Sequence, residues 1–309
     1  MISPIPTSII PLPVHETAVI RPRGQITRRA ILQSLFPAAL PPGRSGDPGI
    51  IGPDGPVWTI AREKAILAGG PGALLLQVAH PLVAAGVAAH SNFESDPLWR
   101  LRRTLDTLLT VAFGDHAQAE AAAAGVAAVH AHVRGVSASG ESYRADDPDL
   151  ALWVHATLVI TALRAFDDFV GPVSDTVKAG YYEHYKVVGH LFGVTEEVMP
   201  ATYADFEAYV GHMVDEVLTV GDDARSIAAG IFEATIAGPT WWSRPTMQLA
   251  AAAFLPARLR ADYSLRWGRR QRAAYAVIRG VVRPGLRMMP ARARYWQHFR
   301  MAGSRIRPT

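Results

Sequence analysis

The chain has no cysteine, which removes thiolate nucleophiles, disulfides, iron–sulfur clusters and cysteine zinc sites at once. Chemistry must therefore come from His, Arg, Tyr, hydroxyls or carboxylates. There is no glycine-rich phosphate loop, no H-E-x-x-H pair and no G-x-S-x-G elbow. Three groups remain. In the segment Trp99–Thr107, helical spacing puts Arg100, Arg103, Thr104 and Thr107 on one face, opposite a leucine stripe. The ordinary reading of such a face is a solvated one. The functional reading is an anion site, because a guanidinium grips carboxylates in a forked geometry and stays charged when partly buried. His130 and His132 close an alanine-rich stretch, one on each side of a valine stripe formed by Val126, Val129, Val133 and Val136. Periodicity does not choose between them. Either alone is more often a boundary histidine than a ligand, although alanines leave room for a large flat group. His155 lies on a segment apolar nearly all round, where an imidazole must be hydrogen-bonded or ligating. His80 and His90 flank a similar apolar run and carry the same ambiguity.

The elements that must position these groups are helical. Asp96-Pro97 starts a helix, Asp serving as cap and Pro as first residue, that runs to Phe113 and stops at Gly114. Residues 117–133 form the alanine-rich helix, 135–142 a loop, and Asp147-Pro148 starts a helix through Phe169 that belongs in the middle of a domain. Helices are expected over 58–68, 71–89, 174–191 and 203–220, with Gly69-Gly70 breaking the first run and Pro256, Pro284 and Pro290 breaking the last part of the chain. The run 71–89 is nearly long enough to span a bilayer, but Gln77, His80, Pro81 and Gly86 mark it as a buried, kinked helix. Alternation with period two is weak throughout. These patterns imply an all-α protein: a single large helical domain preceded by an extended Pro/Gly-rich arm, with one helical turn or two around residues 28–35.

Charge is unevenly placed. From Arg258 onward there are fourteen Arg and one acid, Asp262, a net of +13; the rest carries seventeen basic and twenty-six acidic residues, a net of −9, giving +4 for 309 residues. An acidic partner, nucleic acid or a membrane surface could use such a tail; the plainer reading is that it folds back on the acidic body. Thr27–Leu32 superficially resembles a twin-arginine export signal, but the apolar run behind it is short and no cleavage site follows. A cytoplasmic location is the default expectation, with twin-arginine export as the alternative.

Taken in order, these segments carry a family resemblance over roughly residues 45–265. The run Gly69-Gly70-Pro71-Gly72-Ala73-Leu74-Leu75-Leu76-Gln77-Val78-Ala79-His80-Pro81 is followed by Gly86–Ser91, Asp96–Thr104, His130–Gly135, Asp147–Leu158, Tyr181-Tyr182 and Leu191–Val194. The series resembles the haem-dependent oxygenases of the MpaB and latex-clearing (rubber oxygenase) type. The resemblance implies a globin-like helical core holding a b-type haem iron through an axial histidine. That histidine is similar in place to His130, with His132 as the fallback. Arg100 and Thr104 match the family's R-x-x-x-T motif beside the haem, and His155 is a candidate for the pocket wall or a haem propionate contact. Where latex-clearing proteins can place a distal Lys, this chain has Arg103, which has no free lone pair for iron and is expected instead to donate a hydrogen bond to dioxygen. No acid stands near Ala84, where the family's rubber-cleaving base would fall.

The expected division is an arm over 1–56, a haem-binding domain over 57–265, and a basic helical extension over 266–309 packing on it. The expected function is a haem-b oxidoreductase, an oxygenase acting on a small apolar substrate with dioxygen. The alternatives are a non-catalytic haem carrier or sensor, and a helical binding protein that uses the basic C-terminus. No nucleic-acid partner is expected; the Arg-rich C-terminus is the candidate for peripheral membrane contact.

Overall fold

The computed structural model describes residues 37, 39–91, 97–233 and 240–307, with side chains from 102 onward in the helix beginning at 97 and from 243 onward in the helix beginning at 240. The fold is all-α. In chain order come α1 (Pro56–Ala61), a 3-10 turn (Lys64–Gly69), α2 (Gly70–Val78), α3 (Pro81–His90), α4 (Pro97–Phe113) and α5 (His116–His130). A two-stranded hairpin follows, β1 (Arg134–Val136) and β2 (Ser142–Arg144), then α6 (Pro148–Phe169), α7 (Asp175–Leu191) and α8 (Tyr203–His212). The rest is α9 (Asp222–Glu233), α10 (Thr240–Phe254), α11 (Ala257–Asp262), α12 (Arg269–Met288), α13 (Ala291–Arg294) and α14 (Gln297–Ile306). Most of the expected arm, with its turn at 28–35, lies outside the described residues. Among the described ones, 39–55 carry no helix or strand.

Helix α6 is the central post, as its all-round apolar pattern requires. It packs against the 3-10 turn, α2, α7 and α12, and buries residues on every side, from Leu150 and Trp153 to Val159, Leu163 and Phe169. Asp147 caps its start by accepting from the backbone N–H of Asp149 at 2.9 Å. Two buried donors tie α2 into this centre: Trp153 Nε1 donates to the Leu76 carbonyl (3.0 Å) and the Tyr263 hydroxyl to the Leu75 carbonyl (2.8 Å).

The glycines at the start of α2 are a packing device as well as a break. A Cβ on Gly69 would sit 3.0 Å from the Thr161 carbonyl of α6, and one on Gly72 would sit 2.4 Å from the Phe254 Cβ of α10. Only hydrogen lets the two backbones cross so closely. The expected break at Gly69-Gly70 is kept, since the 3-10 turn ends at Gly69 and α2 begins at Gly70; the expected single helix 58–68 is corrected, being the end of α1 plus that 3-10 turn. The apolar run 71–89 does kink. Between α2 and α3 the chain bends by 102°, and the Ala79 carbonyl released there accepts from Thr219 N at 2.8 Å. α6 and the bent pair are apolar enough to span a membrane by length and composition, but half of the most apolar window of α6 is buried inside the fold.

Three further expectations are corrected. Residues 135–142 are not simply a loop; they complete a hairpin in which Gly135 pairs with Tyr143. The expected helix 203–220 ends at His212 and continues as one π turn, Met213–Val217. Pro284 does not break its helix: α12 runs through it, and the carbonyl it leaves without a partner is that of exposed Gly280, within reach of water.

The basic C-terminal part contacts the body at several points, among them three made by Arg294, Arg279 and Arg305. Arg294 forks onto Glu63, which is 1% exposed, at 2.8 and 2.7 Å. Arg279 meets Asp168 at 3.0 Å, where the Tyr275 hydroxyl also donates. Arg305 donates to the carbonyls of Asp47, Phe113 and Gly114, closing the C-terminal end of α4 as a cation at a helix terminus should.

Candidate functional site

Helices α4 and α5 form a hairpin joined by Gly114 and Asp115 alone. Asp115 builds a capping box with Gln118, accepting from its N–H at 2.8 Å. So short a link makes the helices antiparallel neighbours. At about 1.5 Å of rise per residue, Arg100 comes level with the last turn of α5, and Arg103 and Thr104 lie about one turn nearer the link. The fold thus brings Arg100, Arg103, Thr104 and His130 to one end of one hairpin. Arg103 and Thr104 are exposed; the Arg100 side chain lies outside the described ones.

Helix α5 is less buried than its valines suggested. Only Ala119 and Ala123 are buried on it, while Val129 is 50% and Val136 67% exposed. The expected buried valine stripe is therefore corrected: the fully buried residues of α5 are alanines, Val126 and Val133 are half-buried, and Val129 and Val136 look outward. Ala121, Ala124, Gly125, Ala127 and Ala128 leave an exposed surface of small side chains, and a Cβ on Gly125 would meet nothing within 4 Å.

The two histidines differ. His130 is half-buried, and no described residue is hydrogen-bonded to its ring. Burial lowers its pKa below 6.5, against a weaker upward pull from Asp146, so the imidazole is neutral at pH 7 and keeps a lone pair. His132 is exposed, and its Nδ1 lies 2.8 Å from the Ala128 carbonyl. That bond requires the proton on Nδ1 and leaves the lone pair on Nε2. Either ring could hold a porphyrin iron through one nitrogen. Among the described residues no three His, Asp or Glu side chains converge on a common point, so nothing there would cage a bare metal ion.

The hairpin β1–β2 supplies neighbours that sequence periodicity missed. Asp146, just past β2, pairs with Arg144 at 2.7 Å and is the carboxylate His130 senses. Tyr143 is buried between α3 and the hairpin, and a Cβ on Gly135 would fall 2.6 Å from its hydroxyl oxygen. His90 lies 3.2 Å from the Arg134 carbonyl. His80 caps α3, accepting from Leu82 N at 3.3 Å, and burial lowers its pKa. Ala84 is buried on α3.

His155 belongs to a different place. It is 4% exposed inside the α6–α7 contact, stacked on Tyr185 (5.2 Å between centroids), which stacks on Tyr181 (5.3 Å). Its Nε2 has no hydrogen-bond partner among the described residues. Gly189 and Met199 close over it: a Cβ on Gly189 would lie 3.2 Å from the ring. Burial, and secondarily nearby His190, holds its pKa at about 3. The structure does not group it with His130.

Compared with known proteins, residues 57–284 match the family described as ER-bound oxygenase mpaB/B'/Rubber oxygenase, catalytic domain. Two curated mycobacterial relatives, the uncharacterized proteins Mb2261 of Mycobacterium bovis and Rv2237 of Mycobacterium tuberculosis, are each 28% identical over 228 residues, 71% of this chain and 88% of the relative. No solved structure matches the chain. With the match running from the start of α1 into α12, the chain belongs to the mpaB/rubber oxygenase catalytic-domain family.

Proposed function

We propose that the protein is a haem-b-dependent oxygenase that acts on a small apolar molecule, with His130 as the residue that would hold the haem iron. The observation that carries this reading is the neutral, half-buried His130 imidazole, without a hydrogen bond from any described residue, at the end of an α5 whose second half exposes Ala124, Gly125, Ala127, Ala128 and Val129. A haem needs one imidazole, a broad surface of small apolar side chains, and cations for its two propionates, and residues of the types required for each stand on α4 and α5. When bound, the haem would supply the dioxygen chemistry. The chain's own part is to hold, orient and screen. His130 would donate its lone pair, and Asp146 would favour that ring's positive polarisation. Arg100 and Thr104 would support the haem edge. Arg103 offers only N–H donors and would serve dioxygen and propionates, never the iron. His155, neutral and enclosed between α6 and α7, would support the core beneath the pocket rather than touch a propionate.

The absence of an acid at Ala84 argues against rubber cleavage through a carboxylate base, so we infer a smaller apolar substrate. The test is the visible spectrum of the protein expressed with added haem, followed by a pyridine haemochrome assay. One haem b per chain is expected in the wild type and in His132→Ala, with loss in His130→Ala. Full loading of His130→Ala would overturn the assignment of the ligand. A wild-type protein that never binds haem would overturn the function.

A further inference from the structure

Helix α12 presents two opposite faces. Tyr275 and Leu286 are buried against α6, with Val282 half-buried beside them and Arg279 reaching Asp168. On the far side, Val277 (65% exposed), Val281 (66%) and Met288 (87%) stand at four- and seven-residue steps, so they form one straight apolar stripe. Exposed Ala273 and Pro284 extend it, and Ile278 and Met289 widen it. Apolar side chains this exposed are unremarkable singly; a continuous stripe of them on one helix marks a contact surface.

The charge around the stripe identifies the occupant. Arg270 lies at its N-terminal end, and Arg269 and Arg287 run along one flank; all three are exposed. None has a carboxylate within salt-bridge distance among the described residues, and no Asp or Glu occurs anywhere after Asp262. The acids nearby are already engaged, Asp262 with Arg258 and Asp168 with Arg279 and Arg164. A nucleic acid would satisfy the guanidinium groups but leave Val277, Val281 and Met288 facing phosphates and water. A membrane surface rich in anionic lipid satisfies both, with acyl chains under the stripe and headgroup phosphates against the arginines.

We propose that the outer face of α12 is a peripheral docking surface for anionic membranes, along which the helix lies in the interfacial plane. The proposal stands on this surface alone and is independent of the haem reading.

The experiment is co-sedimentation of the full chain with phosphatidylcholine vesicles, with and without phosphatidylglycerol. Selective binding to the anionic vesicles, weakened by salt, is expected. Each arginine at such a surface contributes about fivefold to partitioning. Arg270→Glu/Arg287→Glu is therefore expected to lower binding on the order of a hundredfold, because each reversal replaces attraction with repulsion. Val277→Asp/Val281→Asp should lower it to a similar degree, on the order of a hundredfold, by removing buried carbons and adding charge. All four sites are exposed, so circular dichroism and the melting temperature should match the wild type. Wild-type protein that ignores anionic vesicles would overturn the proposal, as would variants that bind undiminished. So would tighter binding to duplex or single-stranded nucleic acid than to vesicles, or a dimer that Val277→Asp/Val281→Asp dissolves.

Discussion

A buried imidazole that cannot take a proton ties stability to pH. His155 is held at a pKa of about 3 in the fold against 6.5 for an ordinary histidine, first by burial and then by His190. Above pH 6.5 both folded and unfolded chains carry it neutral, and it contributes no pH dependence. Below that, the unfolded chain gains a proton that the folded one refuses. The penalty grows as pH falls from 6.5 toward 3 and levels off only below the folded value. At pH 5 the unfolded imidazole is 1.5 units below its own pKa while the folded one is still neutral. At about 1.4 kcal/mol per unit, this single residue removes about 2 kcal/mol between pH 7.5 and pH 5. Replacing it by leucine, of similar volume, deletes the titration and also the unpartnered Nε2. His155→Leu is therefore expected to change stability at pH 7.5 by no more than about 1 kcal/mol in either direction. At pH 5 it should be more stable relative to the wild type, by about 2 kcal/mol beyond any difference at pH 7.5. Urea unfolding of both proteins at the two pH values gives the number, and every other titrating group cancels in the comparison. A gap between the two proteins that stays the same at pH 7.5 and pH 5 would refute the reasoning, because it would mean that His155 protonates in the folded state as freely as in water.

Two other perturbations follow from the packing. Arg294→Met should destabilise by about 3 kcal/mol, because Glu63 is left charged in the interior; adding Glu63→Gln should recover most of that loss in thermal unfolding. Gly72→Ala should cost about 1–3 kcal/mol despite alanine's better helix propensity, since its Cβ would drive α2 away from Phe254; an unchanged melting temperature would show that α2 and α10 have room to spare.

Local signals in the sequence were strongest where one residue type does one job. Asp147-Pro148, Ser174 and the Phe113–Gly114 stop mark helix ends that the structure keeps to within a residue, because caps depend on immediate neighbours. The all-round apolar pattern of α6 sufficed to place it at the centre. What failed depended on distant partners. Gly69-Gly70 read only as a break, because the close approaches that Gly69 and Gly72 allow, at Thr161 and Phe254, involve partners about ninety and one hundred and eighty residues away. The hairpin's strands are three residues each, too short for alternation to register. At the site, the R-x-x-x-T segment and the histidine pair were legible as residue types. Their meeting at one end of a helical hairpin required knowing that only two residues join α4 and α5. Asp146 and Tyr143 came into view only with the hairpin, and the outward turn of Val129 and Val136 only with the burial of Ala119 and Ala123.

The uneven seating of α5 and α6 sets how each will exchange its amide hydrogens. α6 buries twelve of its residues along its whole length, so most of its amides open only when the whole domain does. Past Ala123, the second half of α5 has no fully buried residue, and its backbone bonds can break locally at far smaller cost. Deuterium should therefore enter residues 124–130 long before residues 152–165. Anything that closes over the alanine face shifts this local equilibrium by mass action, and slower exchange there reports occupancy directly. The half of α5 that ends in His130 thus doubles as the molecule's own binding gauge, readable without colour, turnover or a known substrate.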